Sequence, residues 1–375
     1  MCHKEFITMS KNKVYTAIGM MSGTSLDGVD VALIETDGKD LTTLLDFKTF
    51  DYKLAEKQAI KDVFGATKPS KKVLKAENAV TQAHIRALRE FGHKADVIGF
   101  HGQTISHNPA QKFTWQIGDA QIIADETQTP VIADMRQADI AAGGQGAPLL
   151  PLCHRSFAAT TQKPIAILNL GGVGNITWLG RDRMDILAFD TGPANAPIDD
   201  LVQAKTGQAY DSNGARALAG RPLQSLIDDW LSHPFFDKTP PKSLDRNQWD
   251  VSAVAEFDLN DAIATLAQFS VQSVLKSLKH LPAKPHALYV AGGGRHNKAM
   301  MTWLNEALDY PVLPVEDIGW NGDALEAQGF GYLAVRSLLG LALTLPTTTG
   351  VPEPLTGGAL YTPFVTRSFL AANTK

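Results

Sequence analysis

The chain has 375 residues, 44% of them hydrophobic, and a formal net charge of -4. That length favours two domains with a substantial core and excludes a disordered protein. The mild acidity offers no basic footprint for nucleic acid or a membrane surface, so small-molecule chemistry is expected.

Met1 to Lys13 is polar and patternless and is set aside from the fold. A strand is predicted from Val14 to Met21, then a turn through Ser22 to Gly28 and a second strand from Val29 to Ile34. The Asp37-Gly38 turn signal leads to a third strand over Leu41 to Phe50. Val73, Ala76, Val80, Ala83, Ala87 and Phe91 form a helical stripe ended by Gly92, and a short strand, Asp96 to Phe100, follows.

The second half repeats this outline, with strands at Ile165 to Leu170, Ile176 to Leu179 and Ile186 to Phe189. A glycine turn over Gly171 to Asn175 joins the first two, and a helix is predicted from Pro193 to about Lys205. Ile263, Leu266, Ser270, Val274 and Leu278 line a long helix, Ala287 to Val290 is a buried strand, and Asp323 to Leu341 is a helix rich in Ala and Gly. The prolines at 234, 240 and 241 mark an irregular loop up to Trp249. Hairpin, third strand, helix and strand, given twice, suit two ribonuclease-H-like halves.

Cys2 and Cys153 lie far apart and no apolar signal segment follows the basic start, so a reducing cytoplasm is the expected compartment. The longest apolar stretch, around Leu338 to Leu345, falls short of the roughly 18 residues that span a bilayer. Nothing in the sequence fixes the oligomeric state, and a homodimer is compatible with it.

Chemistry concentrates in the turns. Gly23, Thr24, Ser25, Leu26, Asp27, Gly28, Val29 and Asp30 combine glycines, hydroxyls and carboxylates, suited to wrapping phosphates while a carboxylate, Asp27 or Asp30, holds Mg2+ through water. The same stretch also suits a plain polar hairpin, and no lysine follows to make it a Walker loop. Gly171, Gly172, Gly174 and Asn175 occupy the matching place in the second half, and two such turns are expected to grip a nucleotide from both sides. Gly292, Gly293 and Gly294 end a strand, where backbone can approach an adenosine.

Asp190 closes the strand Leu187 to Phe189 and is favoured as a catalytic carboxylate, because a helix cap would sit nearer Gly192. His101-Gly-Gln-Thr104 offers polar groups to a sugar, although a buried, satisfied histidine is the commoner fate of such a His101. Asp134, Arg136 and Asp139 precede Gly143-Gly-Gln-Gly-Ala-Pro148; they fit ligand contacts or surface ion pairs equally well. His154 is expected to cap or pack.

Together these residues resemble the anhydro-N-acetylmuramic acid kinase family over roughly Ile18 to Thr362. The motifs Met21-Ser-Gly-Thr-Ser-Leu-Asp-Gly-Val-Asp30, His101-Gly-Gln-Thr104, Gln116-Ile-Gly-Asp119, Gly143 to Pro148, Leu168 to Ile176, Phe189-Asp-Thr-Gly-Pro-Ala-Asn195 and Asp323-Ala-Leu-Glu-Ala-Gln328 occur in the family's order. The resemblance implies an α/β, two-domain actin-like ATPase fold, with one domain over 14–135 plus about 343–370 and the other over 136–342. It further implies ATP on Gly23 to Asp30, Asp190 as catalytic base, and Mg2+ as cofactor. The sugar falls to His101, Gln103, Asp134, Arg136, Gln145, Gly146, Ala147 and Asn195. The implied reaction converts the anhydrosugar, ATP and water to N-acetylmuramic acid 6-phosphate and ADP in cell-wall recycling.

Two positions depart from the family pattern: Met135 replaces an aromatic, and Ser243-Leu-Asp-Arg246 replaces Ser-Thr-Gly-Arg while keeping Lys242, Ser243 and Arg246 in register. A kinase for another anhydrosugar such as levoglucosan, or a non-catalytic actin-like nucleotide switch, would share the fold and the ATP turns.

Overall fold

The computed structural model describes residues 13–244 and 249–364. β1 (Tyr15–Ser22), β2 (Gly28–Thr36) and β3 (Thr42–Asp51) form the expected antiparallel meander. α1 (Leu54–Lys61) escaped the sequence reading because it buries only Ala59 and Ile60. α2 (Lys71–Phe91) starts where the Ser70 hydroxyl accepts the Val73 amide and ends at Gly92, φ 73°.

β4 (Val97–Asn108) runs parallel to β1, but it does not end near Phe100 as expected. It continues through His101-Gly-Gln-Thr104 because β5 (Phe113–Ile117) supplies a new antiparallel ladder from Gln103 onward. α3 (Ala120–Thr127), β6 (Val131–Ala133), α4 (Gln137–Ala141) and α5 (Pro151–Phe157) follow.

The second meander is β7 (Ile165–Leu170), β8 (Val173–Leu179) and β9 (Ile186–Pro193). The glycine turn is tighter than expected, since Gly174 and Asn175 already pair within β8. β9 runs past Asp190: Asn175 faces Asp190 and Gly174 faces Gly192, leaving Thr191 as an extra, bulged residue. Pro193 therefore ends a strand, and the helix predicted from it, α6 (Asn195–Thr206), begins two residues later. α7 (Ala215–Ala219) and α8 (Gln224–Leu231) then pack on α9 (Leu259–Ser277), which packs on β9. β10 (Leu288–Ala291), α10 (Lys298–Ala307), β11 (Val312–Pro314), α11 (Leu325–Leu338), α12 (Pro346–Thr349) and β12 (Ala359–Tyr361) complete the chain.

One sheet has the order β12-β6-β4-β1-β2-β3, with β5 on the extension of β4; the other is β11-β10-β7-β8-β9. Each is a meander whose first strand is flanked by parallel strands. The ribonuclease-H-like plan occurs twice, which is the two-domain actin-like architecture. Among the described residues no helix is long and apolar enough to cross a membrane. The segment expected as an irregular loop is anchored at its start by Phe235 and Phe236, which pack with Trp249 and Phe269; Asp245 and Arg246 lie outside the described residues.

α11, grouped by the sequence reading with 136–342, packs instead on β1, β2 and β4 of the first sheet. It does so backbone to backbone: a Cβ on Gly19 would overlap the Ala327 carbonyl, and one on Gly99 would overlap that of Phe330. We therefore expect Gly99→Ala to lose at least the roughly 1–3 kcal/mol typical of overpacking. Gly23→Ala, whose Cβ would meet nothing nearer than 3.6 Å, is expected to unfold at the wild-type urea midpoint. Equal midpoints for wild type and Gly99→Ala would refute this close contact.

Candidate active site

The β1–β2 turn, the β7–β8 turn, the glycine loop after β10 and the start of α11 gather at the C-terminal ends of the parallel strands, the side on which α/β sheets bind ligands. Asp190 lies on β9 within this cleft, 7% exposed. Its amide donates to the Lys242 carbonyl at 2.9 Å, and its Oδ2 accepts the Leu244 amide at 2.7 Å. The other oxygen receives no hydrogen bond from the described residues. Burial pushes the carboxyl up to about 7, although the Leu244 amide and the charges of Arg136 and Lys242 pull it down. Lys242 is itself buried, its ammonium donating to the Phe235 carbonyl at 3.0 Å, and burial lowers it to about 8. Beside it, the Ser243 hydroxyl donates to Gln145 Oε1 at 2.8 Å. Thus Gln145 is joined to the segment that holds Asp190.

Arg136, whose charge acts on this carboxylate, is tied down on two sides. Its Nε donates to His101 Nε2 at 3.0 Å and its Nη1 to the Gly146 carbonyl at 2.6 Å. Because Nε2 accepts, the imidazole proton sits on Nδ1, which donates to the Gly102 carbonyl at 2.8 Å. Burial, with the Arg136 charge, holds His101 well below its usual pKa, so the ring is neutral. It lies against Phe330 of α11, ring centroids 4.5 Å apart. Asp139, left open as a surface charge, is instead buried: it accepts the Gly146 amide at 2.6 Å and the Thr349 hydroxyl at 2.5 Å. It shapes the loop that carries Gln145, Gly146 and Ala147.

Three expected sugar contacts sit differently. Gln103 is fully buried and accepts the Ser22 hydroxyl at 2.5 Å, while Ser22 also meets Tyr52 at 2.8 Å, making Gln103 a strut between β4 and β1. Asp134 accepts the Tyr361 hydroxyl at 2.7 Å, facing β12. Asn195 donates from its side chain to the Leu170 carbonyl at 2.7 Å and from its amide to Gly171 at 2.9 Å, beside the nucleotide turns. His154 packs, meeting the Thr177 hydroxyl at 3.0 Å.

The glycines divide by what surrounds them. Gly28, Gly174, Gly292 and Gly294 are required by the protein itself; a Cβ would strike Phe50 and Thr49, Thr191, Asn169 and Leu170, and Leu170 respectively. Gly23, Gly171, Gly172 and Gly293 adopt no positive φ, and a Cβ on them would find no neighbour closer than 3.4 Å. Neither backbone nor packing demands glycine there, which leaves the close approach of something outside the chain. Thr24, Ser25 and Asp27 are exposed around Gly23, whereas Leu26 and Val29 turn their side chains into the core.

Asp30 accepts the Thr49 hydroxyl at 2.6 Å, and burial raises it to about 6, with Asp323 and Asp27 adding negative charge. Glu326, overlooked by the sequence reading inside its Asp323-Ala-Leu-Glu motif, is raised by burial and by Asp30, opposed by Arg136 and a hydrogen bond from Asn169. Only its position on the first turn of a helix hinted at this. Arg295 ties the β10 loop to α11, donating to Glu316 at 2.9 Å and Asp323 at 2.8 Å. No group of three His, Cys, Asp or Glu among the described residues is set to hold a metal by itself.

Two ribonuclease-H-like sheets with paired glycine turns and a buried carboxylate in the cleft between them define an actin-like phosphotransferase of the sugar-kinase class. A family model described as anhydro-N-acetylmuramic acid kinase matches residues 15–363. Curated anhydro-N-acetylmuramic acid kinases from Rhizorhabdus wittichii and Acidiphilium cryptum are 47% and 48% identical; each alignment covers 92% of this chain, and 99% and 98% of theirs. A xylulose kinase structure from Lactobacillus acidophilus is 10% identical, with TM-score 0.42 and 96% of both chains covered. The chain belongs to the anhydro-N-acetylmuramic acid kinase family.

The Asp190 environment carries a stability signature. An acid whose folded pKa, about 7, exceeds its ordinary 3.8 binds more protons folded than unfolded, so stability falls as pH rises between those values. Asp190→Asn is expected to match wild type near pH 4 in urea unfolding and to exceed it above pH 7 by on the order of a few kcal/mol. A pH-independent difference between the two proteins would contradict the raised pKa.

Proposed function

We propose that this protein is an ATP-dependent kinase that opens the 1,6-anhydro ring of 1,6-anhydro-N-acetylmuramic acid with water and phosphorylates O6, giving N-acetylmuramic acid 6-phosphate and ADP. The observation that carries the mechanism is Asp190: one buried carboxylate, one oxygen held by the Leu244 amide, with its pKa raised to about 7. A base poised near neutrality is matched to removing a proton from water. In an ordinary glycosidase a second carboxylate protonates the leaving oxygen. Here the leaving O6 stays on the sugar and is captured by the γ-phosphorus instead. Water forms the C1–O bond as the C1–O6 bond breaks, Asp190 takes the water's proton, and O6 displaces ADP from the γ-phosphoryl group.

Arg136, held by neutral His101 and by Gly146, supplies fixed positive charge in this water-poor cleft. Gly23, Gly171, Gly172 and Gly293 would let backbone amides close on the phosphates and nucleotide. Asp30, Asp27 and Glu326 fit a Mg2+ held through water, because Asp323 and Asp27 press negative charge on Asp30, Asp30 does so on Glu326, and a cation relieves that. When bound, Mg2+ neutralises the phosphate charge. Water is a substrate, so closure of the two halves must admit one water at Asp190 while shielding the γ-phosphate. A reducing cytoplasm is in keeping with Cys153, a buried free thiol.

Asp190→Asn should lose about 10²–10⁴ in turnover or more, with nucleotide affinity retained, and wild-type kcat/KM should climb with pH and level off above about 7. Product made in H₂¹⁸O should carry the label at C1; label in the phosphate would mean water attacks phosphorus, and the coupled mechanism would be abandoned.

Gly23→Ala and Gly293→Ala are expected to weaken nucleotide binding at unchanged Tm, whereas Gly294→Ala, whose Cβ meets Leu170, should lower Tm. Calorimetry with ATP and with sugar separately checks this; unaltered nucleotide affinity in both Gly23→Ala and Gly293→Ala would make these simple turns.

A further inference from the structure

We propose that a crevice at the end of the molecule opposite the glycine turns binds a phosphate-sized oxyanion. The β2–β3 turn and the β8–β9 turn are equivalent corners of the two sheets, each one strand-length away from a glycine turn. Between them lies a cavity of about 80 Å³, room for about two or three waters and too small for a nucleotide. Its charged lining is Lys39, Arg155, Arg183 and Arg336 against one carboxylate, Asp40. Among the described residues, four cations and one anion line it, in a chain whose net charge is -4.

Arg155 and Arg336 are held by backbone carbonyls. Arg155, 7% exposed, donates to the carbonyls of Gly180 at 2.9 Å and Asp185 at 2.7 Å. Its Nε–H is buried with no hydrogen-bond partner among the described residues. Arg336 donates to the carbonyls of Ala342 at 2.6 Å and Gly38 at 2.8 Å. Backbone carbonyls satisfy N–H groups but carry no formal charge, so the charge of Arg155 is met only through space, by Asp185, Asp40 and Asp182, and an unmet buried guanidinium N–H is costly. Arg183 pairs with a carboxylate, Asp40 at 3.1 Å, and both side chains are more than half exposed. Such a pair is weak and exchangeable.

An entering oxyanion would displace Asp40 from Arg183. A tetrahedral dianion presents acceptors in several directions at once, which suits donors converging from two turns and two helices; a planar carboxylate does not. Lys39 and Arg336 belong to elements of the first sheet and Arg155 and Arg183 to elements packed on the second, so the occupant would bridge the two halves at the rear.

Inorganic phosphate would be titrated into the full-length protein by calorimetry at constant ionic strength, with excess non-hydrolysable ATP analogue to keep phosphate out of the glycine turns. One site is expected, bound more tightly than acetate and not mimicked by chloride. Arg183→Gln should weaken it about tenfold, the worth of one charge-assisted contact. Asp40→Asn should tighten it severalfold, because the competing carboxylate is gone. Both side chains are exposed, so both variants should fold. Phosphate binding no stronger than chloride, acetate binding as tight as phosphate, or affinity unmoved in both variants would each overturn the site.

Discussion

The contact on which the rest depends is the backbone-to-backbone seat of α11 on β1 and β4. Gly19 and Gly99 remove the side chains that would otherwise hold a helix at ordinary distance, and Gly331 faces Gly19 from the helix side. The separation of a packed helix from its neighbour is set by the side chains at the contact. With those side chains gone, the helix start is carried into the cleft. There Phe330 lies on His101, Glu326 meets Asp30 and Asn169, and Asp323 receives Arg295 from the opposite sheet. The same helix reaches the rear, where Arg336 and Tyr332 hold the β2–β3 turn through Gly38 and Lys39.

Burial sets the chemistry once these groups are together. Asp190 and Glu326 are pushed up, His101 and Lys242 are pushed down, and even Arg136 is lowered to about 10, because the low-dielectric cleft disfavours every charge. The result is a neutral imidazole that can only orient Arg136, and a carboxylate with an affinity for protons near neutrality. Hydrogen bonding distributes the roles: His101 fixes the guanidinium, Asp139 fixes the Gly146 loop that receives it, and Leu244 fixes one oxygen of Asp190.

Much of this was legible beforehand. The meanders, α2, α9 and the strand before Gly292 followed from periodicity and glycine punctuation, which are local properties. Strand ends were misjudged wherever a distant partner extended the ladder: β5 prolongs β4 beyond Phe100, and β8 prolongs β9 through the bulge at Thr191 to Pro193. That Gln103 accepts from Ser22 and that Asn195 donates to the Leu170 carbonyl is not legible in the sequence, because those partners lie far along the chain.

The sequence by itself determined the order of motifs, the paired glycine turns, the family and the candidacy of Asp190, since each rests on residue type and spacing along the chain. Only the tertiary structure decided which glycines serve the fold and which leave space for a ligand, because that depends on what lies across from a missing Cβ. It alone decided that Asp139 is a buried loop-holder, that Glu326 belongs to the cleft, and that α11 seats on the first sheet. Burial and charge act through space, over distances that bear no relation to separation along the chain.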